Sequence, residues 1–160
     1  SQPGVARQVE WLMKRGAQDI LVLPRHARPP RRVLIHWTGN TARRATMAVS
    51  ASLLRHASAE AVYVGILPEN AQASSRAAGM RALLDARSEA KAEHGLEMRT
   101  ELLFGDSIRE LTRLLQELPE QLLVLGVDAP GEIGARLSPL FESAAACPVL
   151  VVHRPAEARA

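Results

Sequence analysis

The feature that most constrains the fold of this chain is the segment Leu122–Val152, which reads LLVLGVDAPGEIGARLSPLFESAAACPVLVV. An apolar run, Leu122–Leu125, leads into a loop, and an amphipathic stretch, Leu137–Ala146, then precedes a second apolar run, Val149–Val152. The loop carries three glycines: Gly126, Gly131 and Gly134. Strand, loop, helix and strand in this order predict one βαβ unit, whose loop lies at the carboxyl edge of a parallel sheet, where phosphates commonly bind.

The same alternation extends through the chain of 160 residues. Short apolar or β-branched runs, typical of strands in a sheet covered on both faces, lie at Ile20–Leu23, Val33–His36, Ala61–Leu67, Glu97–Phe104, Leu122–Gly126 and Val149–His153. Helical patterns lie between them at Val5–Arg15, Ala42–Ala57, Ala71–His94, Ser107–Leu118 and Leu137–Ala146. This alternation predicts an α/β fold with a parallel sheet, and the run Glu97–Phe104, which alternates more, is expected near an edge.

Local signals predict several helix ends. Ser107 has the spacing of a capping box at the start of one helix, and Gly95 marks the end of the helix before it. Asn40 or Thr41 is expected to cap the helix that follows Val33–His36.

Two segments carry a resemblance to a known family. The unit Leu122–Val152 and the run Val33–Asn40, VLIHWTGN, resemble the last and first units of the universal stress protein family, and the likeness covers Arg31–Arg154. The resemblance implies a doubly wound, five-stranded parallel sheet in the order 3-2-1-4-5, counted from Val33, with helices on both faces. It also implies a ligand crevice at the carboxyl ends of the first and fourth strands.

The domain organisation is predicted from one change in composition. The proline-rich, basic stretch Pro24–Arg32, PRHARPPRR, is interpreted as a linker. Because Ile20–Leu23 echoes Val149–Val152, the segment before the linker is either the remnant of a preceding similar domain or an extension docked on the sheet. The predicted divisions are a helix–strand extension, the linker, the stress-protein-like domain and a tail, at residues 1–23, 24–32, 33–154 and 155–160.

The resemblance places candidate nucleotide contacts in the loops at the crevice. They are Thr38, Gly39, Asn40, Ile66, Gly126, Gly131, Gly134 and Ser138. The chain departs from the nucleotide-binding pattern, since Thr38 replaces the acid after the first strand, Ala129 replaces a loop glycine, and the loop is shorter. Asp128 adds a negative charge that disfavours phosphate. These departures predict a degenerate crevice in which ATP or AMP binds weakly.

Two arginines, Arg43 and Arg44, fall in the first turn of the helix that follows the first of these loops. Cations at that position oppose the helix dipole, which favours an anion bound near Arg43, Arg44 and the backbone of Gly39–Thr41. The alternative is that both long side chains extend into solvent.

Composition disfavours several other functions. The five histidines have no metal-ligand spacing, and the single cysteine, Cys147, precedes a buried strand and is expected to be a small core residue. The net charge of +3 is spread among acidic residues rather than gathered on one helix face, which argues against a nucleic-acid partner. No nucleophile–base motif is present and no apolar run is long enough to cross a bilayer. We expect no metal site and no catalytic residue.

The sequence therefore predicts a non-enzymatic stress-response domain that acts through ligand sensing and dimerisation. We expect it to be cytoplasmic, or on the cytoplasmic face of a membrane protein, and to be part of a tandem or transporter-linked protein. Two alternatives stay open: an adenine-nucleotide-binding enzyme of the α-hydrolase-like group, and a purely structural dimerisation module.

The final strand is expected to pair with another strand, because it is short, apolar and at the edge of the sheet. Family dimers use this strand, and the chain also carries its own candidate partner near the amino terminus. Pairing in a homodimer or a pseudo-dimer would involve Ile20, Leu21, Val22, Leu23, Val149, Leu150, Val151 and Val152.

Overall fold

The computed structural model describes residues 4–142 and 147–154. Its strands are β1 (Asp19–Val22), β2 (Arg32–Trp37), β3 (Glu60–Leu67), β4 (Arg99–Phe104), β5 (Gln121–Gly126) and β6 (Val149–Val152). Its helices are α1 (Val5–Lys14), α2 (Arg43–Leu54), α3 (Ala73–His94), α4 (Ser107–Glu117) and α5 (Ser138–Glu142), and a π-helix, Ile133–Leu137, runs directly into α5. The predicted tail, residues 155–160, and the last four residues of the helix predicted to end at Ala146 lie outside the described residues.

The strands form one six-stranded sheet in the order β1-β6-β5-β2-β3-β4. Neighbouring strands are parallel except β1 and β6, which are antiparallel. The predicted mixed α/β class is confirmed. The sheet has one strand more than the five predicted, and is not wholly parallel, because the amino-terminal strand joins it.

The central strands β2 and β5 lie side by side in the middle of the sheet, as predicted, with Trp37 opposite Gly126 at their carboxyl ends. Apolar side chains on one face of the sheet pack against α1, α4, the π-helix and α5. Side chains on the other face pack against α2 and α3. A sheet covered on both faces buries all of β5 and all of β2 except Trp37, which explains why these runs are largely apolar rather than alternating.

The amino-terminal segment belongs to this core. Strand β1 pairs antiparallel with β6 in the same chain, with Leu21 opposite Leu150, and the pairing of these two segments was expected. Ile20 and Val22 pack on the same face as α1. Leu23, which was expected to take part in the pairing, lies beyond the end of the strand and is 59% exposed.

Two sequence predictions at element ends are wrong. Arg32 was assigned to the linker, but it is buried and is the first residue of β2. Ser107 was expected to cap α4, but the cap is Asp106, whose carboxylate accepts the backbone N–H of Arg109 at 3.1 Å. The end of α3 is as predicted, since Gly95 has a left-handed backbone with φ of 63°.

A buried polar network closes the amino ends of β2 and β5. The guanidinium Nε of Arg32 donates to Gln121 Oε1 at 2.8 Å. The amide nitrogen of Gln121 donates in turn to the carbonyls of Leu114 at 2.8 Å and Leu118 at 2.9 Å, at the end of α4. Glu117 lies 3.2 Å from the guanidinium of Arg32. These bonds satisfy carbonyls that a helix end otherwise leaves without partners.

Candidate functional site

The candidate site is a cavity of about 110 Å³ at the carboxyl ends of β2 and β3, beside the start of α4. It lies beside the carboxyl end of β5, at the edge of the sheet where the sequence predicts a crevice. Its lining residues are His36, Trp37, Thr38, Ile66, Ser107, Ile108, Leu111, Arg136 and Leu137. Thr38 and Ile66 were predicted as nucleotide contacts, and the structure brings them together here.

The start of α2, beside this cavity, is occupied by a side chain of the protein itself. Asp128, from the loop after β5, accepts the backbone N–H of Ala42 through Oδ1 at 3.0 Å. Its carboxylate also lies against Gly39 so closely that a Cβ there would collide with Asp128 Oδ2. The helix begins without a cap from its own neighbours, so the expected cap by Asn40 or Thr41 is wrong. The anion at this helix end is therefore an internal carboxylate.

The glycines of the second loop have different roles. A Cβ on Gly126 would collide with Thr46 Oγ1 and lie 3.0 Å from Trp37 Cβ, so this glycine lets α2 approach the sheet. Gly134 lies in the π-helix under the carboxylate of Glu10 on α1. Gly131 has open space around it. Close helix packing thus accounts for two of the three glycines.

The two arginines predicted to hold an anion do not converge on one point. Arg43 forms an ion pair with Glu89 of α3, and its guanidinium carbon lies 5.9 Å from the centre of the Trp37 ring. Its Nε is buried without a hydrogen-bond partner in the described chain. Arg44 is exposed, which agrees with the alternative hypothesis that these long side chains extend into solvent.

The imidazole of His36 lies at the inner wall of the cavity. Its Nδ1 is 2.8 Å from the carbonyl oxygen of Val64, which can only accept, so Nδ1 carries the proton and Nε2 is the acceptor in the neutral ring. Burial lowers the pKa of His36; the hydrogen bond to Val64 opposes this shift and the charge of Arg136 adds to it. The ring is therefore neutral at pH 7 and offers an acceptor.

Thr38 contributes a hydroxyl without a partner. Its Oγ1 is shielded from solvent, and none of the described residues forms a hydrogen bond with it. A buried hydroxyl in this state costs about 1–3 kcal/mol. Such an atom beside a cavity is a position where a ligand's polar group could be accommodated favourably.

The remaining predicted contacts are dispersed. Asn40 is exposed in the loop before α2, whereas Ser138 begins α5 and is half-buried. The sequence analysis did not single out Arg136 or Ser107 as residues lining the cavity. Arg136 belongs to no motif, and Ser107 was noted only for helix capping. The two residues reach the cavity from segments that meet only in the folded chain.

Metal and thiol chemistry find no support in the described part of the chain. Within residues 4–142 and 147–154 there is no group of three His, Cys, Asp or Glu side chains that could hold a metal ion. Burial raises the pKa of the Cys147 thiol, which lies in the core as predicted. Among the same residues, no helix combines the length and apolar character needed to cross a membrane.

No family model matches the sequence, and no curated protein matches it either.

Proposed function

We propose that this chain is a non-enzymatic regulatory domain similar to universal stress proteins, with a degenerate crevice for nucleotides of the ATP or AMP type. In this proposal the crevice senses ligands weakly, and the pairing of the last strand provides the contact through which the domain acts.

The observation that carries the proposal is the position of Asp128. Nucleotide phosphates bind at helix starts because free N–H groups and the helix dipole attract negative charge. Here the Asp128 carboxylate already accepts the N–H of Ala42 and lies against Gly39. A phosphate at this place would have to displace the carboxylate or lie beside a like charge. Strong ATP binding in the manner of a phosphate loop is therefore disfavoured.

The topology supports the same proposal. Counted from β2, the five mutually parallel strands stand in the order 3-2-1-4-5, with β1 added beyond the last. Strand order reverses beside β2, where ligands of doubly wound sheets bind. The cavity there is about 110 Å³, whereas ligand pockets span roughly 300–1,000 Å³, so it supports weak or partial occupancy rather than a fully enclosed nucleotide.

The bonding of the polar groups at the crevice supports a non-enzymatic role. His36 uses Nδ1 on the backbone of Val64, and Asp128 is engaged with Ala42. Catalytic bases are instead oriented by a third side chain toward a nucleophile. Neither group has such an arrangement among the described residues.

The contact between β1 and β6 supports the pairing role. In a two-fold dimer an edge strand would pair antiparallel with its own copy. Here β1 covers that edge of β6 within the chain, with the two leucines Leu21 and Leu150 opposite each other. We propose that the amino-terminal segment makes the chain a pseudo-dimer at this edge.

The test is calorimetric titration with ATP and AMP, together with an assay for released phosphate. We expect the wild-type dissociation constant for ATP to lie above the low-micromolar range, without turnover. Asp128→Gly should increase ATP affinity on the order of tenfold, since about 1.4 kcal/mol of unfavourable interaction is removed. Micromolar binding by the wild type, or steady phosphate release, would contradict the proposal.

A further inference from the structure

A second, larger space adjoins the cavity beside α4. It is a groove of about 720 Å³ between α4 and α5, and it shares Ile108 and Arg136 with the cavity. The cavity alone is too small for a drug-sized ligand, but the groove is within the usual range. The two spaces therefore adjoin, and together they are called the path that ends at His36 and Thr38.

Arginine side chains line this groove, and they differ in how they are paired. Arg113 is held by Glu110 at 2.8 Å and by Glu117 at 3.1 Å. Arg109 and Arg136 form no ion pair with any described residue. Asp106 also lines the groove, and its carboxylate accepts the backbone N–H of Arg109. Two unpaired guanidinium groups against one carboxylate leave the groove with an excess of positive charge.

The inner end of the path offers neutral hydrogen-bonding groups instead. His36 is neutral and presents an acceptor, and the Thr38 hydroxyl lacks a partner. Apolar side chains, Ile66 and Leu111 among them, complete the wall. A ligand with an uncharged end and an anionic end therefore matches this path in one orientation.

We propose that the crevice binds a nucleoside monophosphate with its uncharged end in the cavity and its phosphate in the α4–α5 groove, held by Arg136 and Arg109. This inference rests on the proposed function for the ligand class, and it places the phosphate away from the glycine loop. Arginine is suited to this role because its guanidinium group forms paired, charge-assisted bonds to phosphate oxygens.

The readout is the fluorescence of Trp37, a residue that borders the cavity. Its ring packs on the α2 and α3 side of the sheet, stacked on Tyr63 with ring centres 4.1 Å apart. Trp11→Phe removes the other tryptophan, which is on α1 and exposed. This background is titrated with AMP and with adenosine, which lacks the phosphate. We expect AMP to bind at least about tenfold more tightly, the effect of roughly 1.5 kcal/mol from a charge-assisted bond.

The variants assign the phosphate contact. Arg136→Gln and Arg109→Gln should each reduce the preference for AMP, and the double variant should bind AMP and adenosine equally. Arg44→Gln is the matched control, because this exposed arginine lies at the start of α2 near Asp128. Urea midpoints of all variants establish that they fold.

Three results would overturn the placement. Equal binding of AMP and adenosine by the parent would reject it while leaving the proposed function standing. If Arg44→Gln lost the preference for AMP over adenosine and the double variant kept it, the phosphate would bind at the start of α2 instead. No binding of either compound at millimolar concentration would reject both this inference and nucleotide sensing.

Discussion

Both ends of the central strands β2 and β5 carry polar groups, and the two sets are used in opposite ways. At the amino ends, Arg32 and Gln121 are bonded to each other and to carbonyls of α4. At the carboxyl ends, the buried hydroxyl of Thr38 lacks a partner among the described residues. The exposed guanidinium of Arg136, in the neighbouring π-helix, forms no ion pair with them.

This difference separates polar groups that hold the fold from polar groups available to a ligand. The members of a satisfied network stabilise the fold together. Removing one member leaves the others buried without partners, which lowers stability. A buried hydroxyl without a partner, such as that of Thr38, already lowers the stability of the folded state, so removing it should raise stability. Stability measurements on matched variants can therefore test which end of the strands carries polar groups that stabilise the fold and which end does not.

The largest effect is expected at the amino end. Gln121→Leu keeps the side-chain size but removes the donor to three carbonyls at the end of α4 and the acceptor for Arg32. We expect a loss of about 3 kcal/mol in the free energy of unfolding, measured by urea denaturation. Gln116→Leu, on the exposed side of α4, is the control and should change stability by less than about 0.5 kcal/mol. A loss below about 1 kcal/mol in Gln121→Leu would show that the network is dispensable.

The next effect concerns packing at the carboxyl end. Gly126→Ala would place a Cβ against Thr46 Oγ1, which is itself bonded to the carbonyl of Ala42 at 2.7 Å and cannot easily move. We expect a loss of about 2 kcal/mol by overpacking, measured as a shift in the urea midpoint. Gly131→Ala provides the comparison, since nothing lies within 4 Å of a Cβ there. Equal midpoints for the two variants would argue against a close approach at Gly126.

A gain in stability is expected for Thr38→Val. The substitution replaces an unpaired buried hydroxyl by a methyl group of the same shape, and should raise the free energy of unfolding by about 1 kcal/mol. Thr46→Val has the opposite expected sign, because that hydroxyl donates to Ala42. Thermal unfolding of the pair distinguishes them, and a loss in Thr38→Val would mean that its hydroxyl has a partner in solution.

The smallest effect is a pH dependence from His36. Burial lowers the pKa of this ring in the folded state below 6.5, its unfolded value. The unfolded chain therefore binds the proton first as the pH falls, and stability declines below about pH 6.5, by at most about 1.4 kcal/mol per pH unit. His36→Asn keeps a donor for Val64 but does not titrate. The free energy of unfolding of this variant should therefore fall less between pH 7.5 and 5.5 than that of the wild type. If the stability of the wild type and of His36→Asn changed equally with pH, His36 would not be the source of the pH dependence.

Much of the fold could be predicted from local patterns. Continuous apolar runs marked the central strands, and the more alternating run Glu97–Phe104 indicated the edge position that β4 occupies. Gly95 ended α3 where its left-handed backbone is needed. These features depend on residues close in sequence, and so they are visible in it.

The site was less predictable because its decisive contacts join distant segments. Asp128 caps α2 across 86 positions of sequence, and Arg32 bonds to Gln121 across 89. For Arg32, local composition predicted the wrong structure, since a proline- and arginine-rich stretch is typical of a linker. Arg136 carries no motif, and its unpaired charge is apparent only beside the start of α4.

By itself the sequence determined the kind of element that each segment forms, because hydrophobic period, glycine and proline act over a few residues. It also supplied the echo between Ile20–Leu23 and Val149–Val152 that indicated their pairing. Only the tertiary structure decided which polar groups are satisfied. Whether the carboxylate of Asp128 or an outside anion meets the start of α2 depends on the geometry with which two loops meet, and on the cost of leaving buried polar atoms unpaired.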